Sequence, residues 1–133
     1  MDSGKDATSG TATGGIRTLL RVEGAALLAV SLGAYLWLGS EPWWLFLALL
    51  LAPDLSFLGY LSGPRVGAMA YNAAHSTVGP IVLLAGGALT DSGLTVSLAL
   101  IWAAHIGLDR AIGYGLKYAA GFGYTHLGRI GKR

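Results

Sequence analysis

Four apolar stretches, at about residues 17–38, 43–61, 67–90 and 94–118, are separated by only a few polar residues each. Each comes close to the ~20 residues with which an α-helix crosses the hydrocarbon core of a bilayer. The breaks between them, "GSEP" at 39–42, "SGPR" at 62–65 and "TDSG" at 90–93, carry turn chemistry. Connections this short force consecutive helices to run antiparallel. The expected fold is therefore all-α, a polytopic membrane protein built as a bundle of four transmembrane helices over residues 16–118. Residues 1–15, "MDSGKDATSGTATGG", have no apolar period and read as a disordered tail, and residues 119–133 as a polar, Gly-rich C-terminal tail.

Composition agrees with lipid as the solvent. The chain is 53% hydrophobic and 12% charged, and it holds 21 glycines among 133 residues. Soluble domains carry roughly 25% charged residues, and glycine lets membrane helices approach closely. With no cysteine, disulfides and thiolate metal sites are excluded. A net charge of +2 and the lack of a basic, aromatic-interleaved patch argue against nucleic acid as a partner. All nine Lys and Arg residues lie in or near the N-terminal tail, the 62–66 loop and the C-terminal segment, whereas the opposite loops hold Glu41 and Asp91. The positive-inside rule then predicts both termini in the cytoplasm, with a multi-pass chain in the bacterial inner membrane. Trp43 and Trp44 open the second stretch, where indole rings favour the interface. Tyr35, Trp37 and Phe46 read as packing or interface residues.

The ionisable residues inside these stretches are the exception to the pattern. Glu23, Asp54, His75, His105 and Asp109 come from four different stretches, and all fall at one depth in the cytoplasmic half. His105 and Asp109 are i and i+4, so they share a helix face, as do Tyr71 and His75; Asn72 follows Tyr71. Pro53 precedes Asp54 and predicts a break in the helical ladder that frees a carbonyl near the cluster. A charged Asp or Arg at the bilayer centre costs roughly 2.5–3.5 kcal/mol, so two Asp and one Arg facing lipid would cost roughly 9 kcal/mol. These side chains must face the interior, paired, hydrated or bound to metal. One reading is a structural clasp, with Asp54 paired to Arg65 or Arg110 and Glu23 to Arg21. The other starts from two His and two Asp, a common ligand set for Zn²⁺ or another divalent ion. His126 reads as an interfacial tail residue that can join the site.

The blocks "LLRVEG", "LAPDLSFLGYLSGPRVGAMAYNAAH", "IWAAHIGLDRAIGYGLKY" and "THLGRIG" closely resemble the bacterial membrane family of domain of unknown function 4260, over about residues 17–131. The order Pro53-Asp54, His75-Ser76 and His105 with Asp109 is also similar to a family of inner-membrane metal-dependent hydrolases. Where that family has a second Asp after its "PD", this chain has Ser56, and Tyr71-Asn72 stand near the place of its His-Arg.

Together these observations lead to a small membrane enzyme of hydrolase type. A divalent metal is held by Asp54, His75, His105 and Asp109, with Glu23 and Asp109 in catalytic roles. Arg65, Arg110, Tyr71 and Asn72 contact an amphiphilic, lipid-type substrate that enters from the inner leaflet. A transporter or proton-relay subunit and a structural partner with a polar clasp, both as homo-oligomers, are the alternatives from other classes.

Overall fold

A computed structural model describes residues 14–114 and, beyond them, two paired dipeptides. Helix α1 (Gly14–Leu38) is followed by α2 (Trp43–Leu49), which passes into a 3-10 segment (Ala52–Ser62). Helices α3 (Pro64–His75), α4 (Val78–Leu89) and α5 (Gly93–Ala111) complete the helical part. Near the C-terminus β1 (Tyr124–Thr125) pairs antiparallel with β2 (Gly128–Arg129). Of the tail expected over residues 1–15, residues 1–13 lie outside the described residues, as do the side chains of Lys117 and His126. Helix α1 begins at Gly14, two residues inside the segment read as a tail.

Three helical stretches are long and apolar enough to cross a membrane: Gly14–Leu38, Trp43–Ser62 and Gly93–Ala111. In the second, only 6% of the most apolar window is buried within the protein. Leu55, Leu58 and Leu61 stand outward from it. An aqueous fold cannot leave a continuous face of this kind unburied, whereas lipid solvates it without cost. The chain is a helical membrane protein.

The third apolar stretch is not one helix. It breaks at Ser76, whose backbone is extended (φ −78°, ψ 144°), into the 12-residue helices α3 and α4. Pro80 supplies the reason: it has no N–H to offer the Ser76 carbonyl four residues back, so an unbroken ladder is impossible there. The Ser76 hydroxyl accepts from the Val78 N–H (3.2 Å) and restarts the chain as α4. The fourth stretch is also shorter than its apolar pattern, because α5 stops at Ala111. Gly113, at φ +99°, takes the left-handed position. The Gly113 N–H bonds to the Arg110 carbonyl (3.2 Å) and the Tyr114 N–H to that of Asp109 (2.7 Å), a Schellman ending.

Helix α5 is the central element. Helix α1 packs along it, α4 joins it from another side, and α3 packs on the 3-10 segment. The α1–α5 crossing is made by glycine. A Cβ on Gly24 would lie 2.8 Å from the Ala111 backbone nitrogen, and one on Gly107 would lie 2.6 Å from the Gly24 carbonyl oxygen. Above this crossing Tyr35, Phe46, Leu100, Ile101 and Ala104 form the core. The Tyr35 and Phe46 rings meet edge-on at 5.2 Å, and the Tyr35 hydroxyl donates to the Pro42 carbonyl at 2.6 Å. Trp37, by contrast, is 84% exposed and takes no part in the core.

Candidate metal centre

Two interruptions of helical hydrogen bonding lie at the centre of the site. In the 3-10 segment the Asp54 N–H bonds to the Leu51 carbonyl (3.0 Å), not to that of Leu50. The tighter register would assign Leu50 to residue 53, but that is proline. The Leu50 carbonyl is therefore left open, and it accepts from His105 Nδ1 at 2.7 Å. This is the freed carbonyl that Pro53 predicts from the sequence. At the second interruption His75 is the last residue of α3, and its Nδ1 donates to the Tyr71 carbonyl at 2.8 Å.

These bonds set the chemistry of both rings. A carbonyl can only accept, so Nδ1 carries the hydrogen in each, and a neutral ring then presents a bare lone pair at Nε2. The two Nε2 atoms face each other at 2.9 Å. Asp54 Oδ1 lies 3.2 Å from His75 Nε2 and 3.1 Å from His105 Nε2. Asp109 Oδ2 lies 3.3 and 3.2 Å from the same two atoms. Four electron-pair donors, two of them anionic, thus point at one spot, all within 4.8 Å of one another. Lone pairs in this arrangement repel unless a cation, a proton or a metal ion, stands between them. Ligands at about 2.0 Å around a tetrahedral Zn²⁺ lie roughly 3.3 Å apart, close to the contacts found here.

The surrounding residues hold these four in place. The Tyr71 ring stacks on His75, with centroids at 3.7 Å and planes 6° apart, and its hydroxyl donates to Asp109 Oδ2 at 3.4 Å. His75 and His105 are buried, Asp109 is mostly so, and the Asp54 side chain is 48% exposed. The group therefore opens on the Asp54 side.

The sequence-predicted residues divide accordingly. Asp54, His75, His105 and Asp109 meet, with Tyr71 against them. Glu23, expected at the same site, stands outside it: the close Gly24 crossing sets α1 against the end of α5, and Glu23 is exposed where its charge acts on Arg110. Arg21 uses its Nε to bond the Ala111 carbonyl at 2.9 Å instead of pairing with Glu23. Arg65 is exposed in the first turn of α3, and Asn72 is half-buried one residue past Tyr71. Among the described residues the ion pairs within reach of Asp54 and Asp109 come from the two histidines, and no arginine neutralises either carboxylate.

Trp102 is a residue beside the site that the sequence analysis does not single out. Its indole N–H donates to the Ala74 carbonyl at the broken end of α3, and its ring occupies the space left by Gly79. A hydrogen-bonding aromatic three residues before His105, opposite a Gly-Pro pair, is the signal that marks it.

Neither curated proteins nor solved structures return a match to the chain. The model of the family described as domain of unknown function (DUF4260) matches residues 17–130, and the protein belongs to that family.

Proposed function

We propose that the protein is a metal-dependent enzyme of the bacterial inner membrane, a four-helix transmembrane bundle with both termini cytoplasmic, that hydrolyses an ester or phosphoester bond in an amphiphilic lipid-type substrate. The α3–α4 pair serves as the third crossing. Asp54, His75, His105 and Asp109 hold one divalent ion, with Zn²⁺ the best fit to two imidazoles and two carboxylates. The observation that carries the reading is the convergence of four lone-pair atoms with both Nδ1 hydrogens turned away to backbone carbonyls. A cation held there would supply Lewis-acid polarisation of a carbonyl or phosphoryl oxygen, with the half-exposed Asp54 as the ligand that gives way to the substrate. The chain's own residues do the rest. Tyr71 holds Asp109 in position, the half-exposed Asp54 marks the substrate's side, and Arg65 and Arg110 take the anionic head group at the cytoplasmic interface. Glu23 positions Arg110. Asn72 lies next to the Tyr71–His75 stack and can hydrogen-bond the substrate's polar head.

Elemental analysis of the detergent-purified protein tests this directly. The expected result is one equivalent of divalent metal in the wild type and none in His105→Gln. Wild-type protein that carries no metal and cannot be loaded with Zn²⁺, Mn²⁺ or Co²⁺ would sink the enzyme reading and leave a proton relay as the better account.

A further inference from the structure

Beside the Asp/His group lies an apolar cavity of about 270 Å³. Its near wall is made of the residues that flank the ligands: Pro53 before Asp54, Ala74 before His75, and Trp102 one helical turn before His105. Leu49, Ala52, Leu83 of α4, and Leu98 and Ile101 of α5 complete the lining. No charged side chain lines it. In the N-in, C-in orientation, α5 runs from the outer face towards the cytoplasm. Leu98, Ile101 and Trp102 then lie on the midplane side of His105, and Asp109 lies on the cytoplasmic side.

We infer that this cavity receives a single hydrocarbon chain of the substrate while its polar head lies at the Asp/His group; the inference rests on the metal-centre reading above for the head and on the cavity alone for the chain. Three observations support one chain as the occupant. First, the cavity sits in a membrane-spanning part of the fold, where acyl chains are the solvent and enter a dry, apolar space without the desolvation cost that water would pay. Second, at about 30 Å³ for a water-sized group, 270 Å³ has room for roughly nine methylenes, a length that part of one acyl chain fills. Third, in the proposed orientation head and tail fall in the order that an inner-leaflet amphiphile requires, polar group towards the cytoplasm and tail towards the midplane. Trp102 then has two tasks. Its N–H holds the end of α3, and its ring face forms the wall along which the chain lies.

Binding in a bilayer depends weakly on chain length, because the chain leaves lipid and not water. Position is therefore the quantity to read. The probe is a C14 alkyl phosphate with a mid-chain diazirine, added to Co²⁺-loaded protein in nanodiscs. Photolabelling followed by peptide mapping should place adducts on Leu83, Leu98 or Ile101. Leu83→Trp fills the cavity from α4, away from all four ligands, and should lower that labelling at least about fivefold while leaving the visible Co²⁺ spectrum unchanged. Adducts confined to outward residues such as Leu55 or Ile81 would overturn the inference, as would cavity labelling that Leu83→Trp does not reduce. If Co²⁺ fails to bind while the cavity is still labelled, the metal reading falls and the chain site stands. If Co²⁺ binds and the cavity is not labelled, the chain site alone falls.

Discussion

Each histidine here has one nitrogen on a backbone carbonyl and the other in the cluster, and this division separates a metal centre from an ionic clasp. A ligand must offer a lone pair, so His75→Gln and His105→Gln should both abolish bound metal, with only modest thermal destabilisation because glutamine keeps much of the volume. In a clasp the damage would follow the arginines instead. Asp109 is mostly buried and touches both Nε2 atoms and the Tyr71 hydroxyl, whereas Arg110 faces the exposed Glu23. Asp109→Asn should therefore lower the melting temperature more than Arg110→Gln, towards the roughly 3–5 kcal/mol of a broken buried pair. Equal or reversed losses in a thermal melt of the detergent-solubilised variants would return the arginines to the centre of the account. At this scale much was legible beforehand. The i, i+4 spacing put His105 with Asp109 and Tyr71 with His75, and bilayer cost turned the carboxylates inward. Glu23 was not legible as an outsider, because depth along a helix does not give rotation about its axis, and rotation is decided by the Gly24 crossing.

Proline acts twice on the helices, once foreseeably and once not. Pro53 stands next to a charged residue and announces a break; Pro80 sits in the long apolar run from Val78 to Leu89, where hydropathy reads straight through it. Gly113 is passed over for a similar reason, since the apolar pattern continues beyond the left-handed glycine that ends α5. The Pro53 break frees the carbonyl that holds His105, and Pro53→Ala separates that role from simple packing. Alanine restores a donor at position 53, which gives the Leu50 carbonyl a helical partner and weakens its hold on His105. The protein should be as stable as before or more so, yet bind metal roughly 10–100-fold more weakly, as loss of a ligand's outer hydrogen bond does elsewhere; isothermal titration with Zn²⁺ reads this, and unchanged affinity would refute it. The α1–α5 crossing is the complementary case. Gly107 lies between His105 and Asp109, and a methyl group there meets the α1 backbone, which cannot retreat cheaply. Gly107→Ala should destabilise by about 1–3 kcal/mol and loosen the site along with the helix pair, read as a lower melting temperature and partial loss of metal.

For the whole molecule, orientation decides which leaflet would feed the proposed site. A reporter fused after Arg133 should read cytoplasmic, and one inserted within residues 90–93 external; the reverse at both positions would turn the substrate's entry to the other leaflet. Lipid exposure itself was plain from the sequence, because apolar runs of this length have few other uses, whereas the division of the third run into α3 and α4 depended on one missing N–H. That division also bears on biogenesis. At 1.5 Å per residue, each 12-residue half spans about 18 Å, short of the roughly 30 Å hydrocarbon core. Neither half can settle across the bilayer by itself, and the Ala74 carbonyl near their junction lacks its Trp102 partner while the chain ends at Leu89. The partner arrives with α5, whose Trp102 takes the Ala74 carbonyl and whose His105 and Asp109 supply the last two members of the cluster. The same helix, translated after both halves, closes the seam and completes the cluster. A nascent chain released before residue 109 therefore lacks the complete Asp/His cluster, and one released before residue 102 also lacks the bond that caps the Ala74 carbonyl.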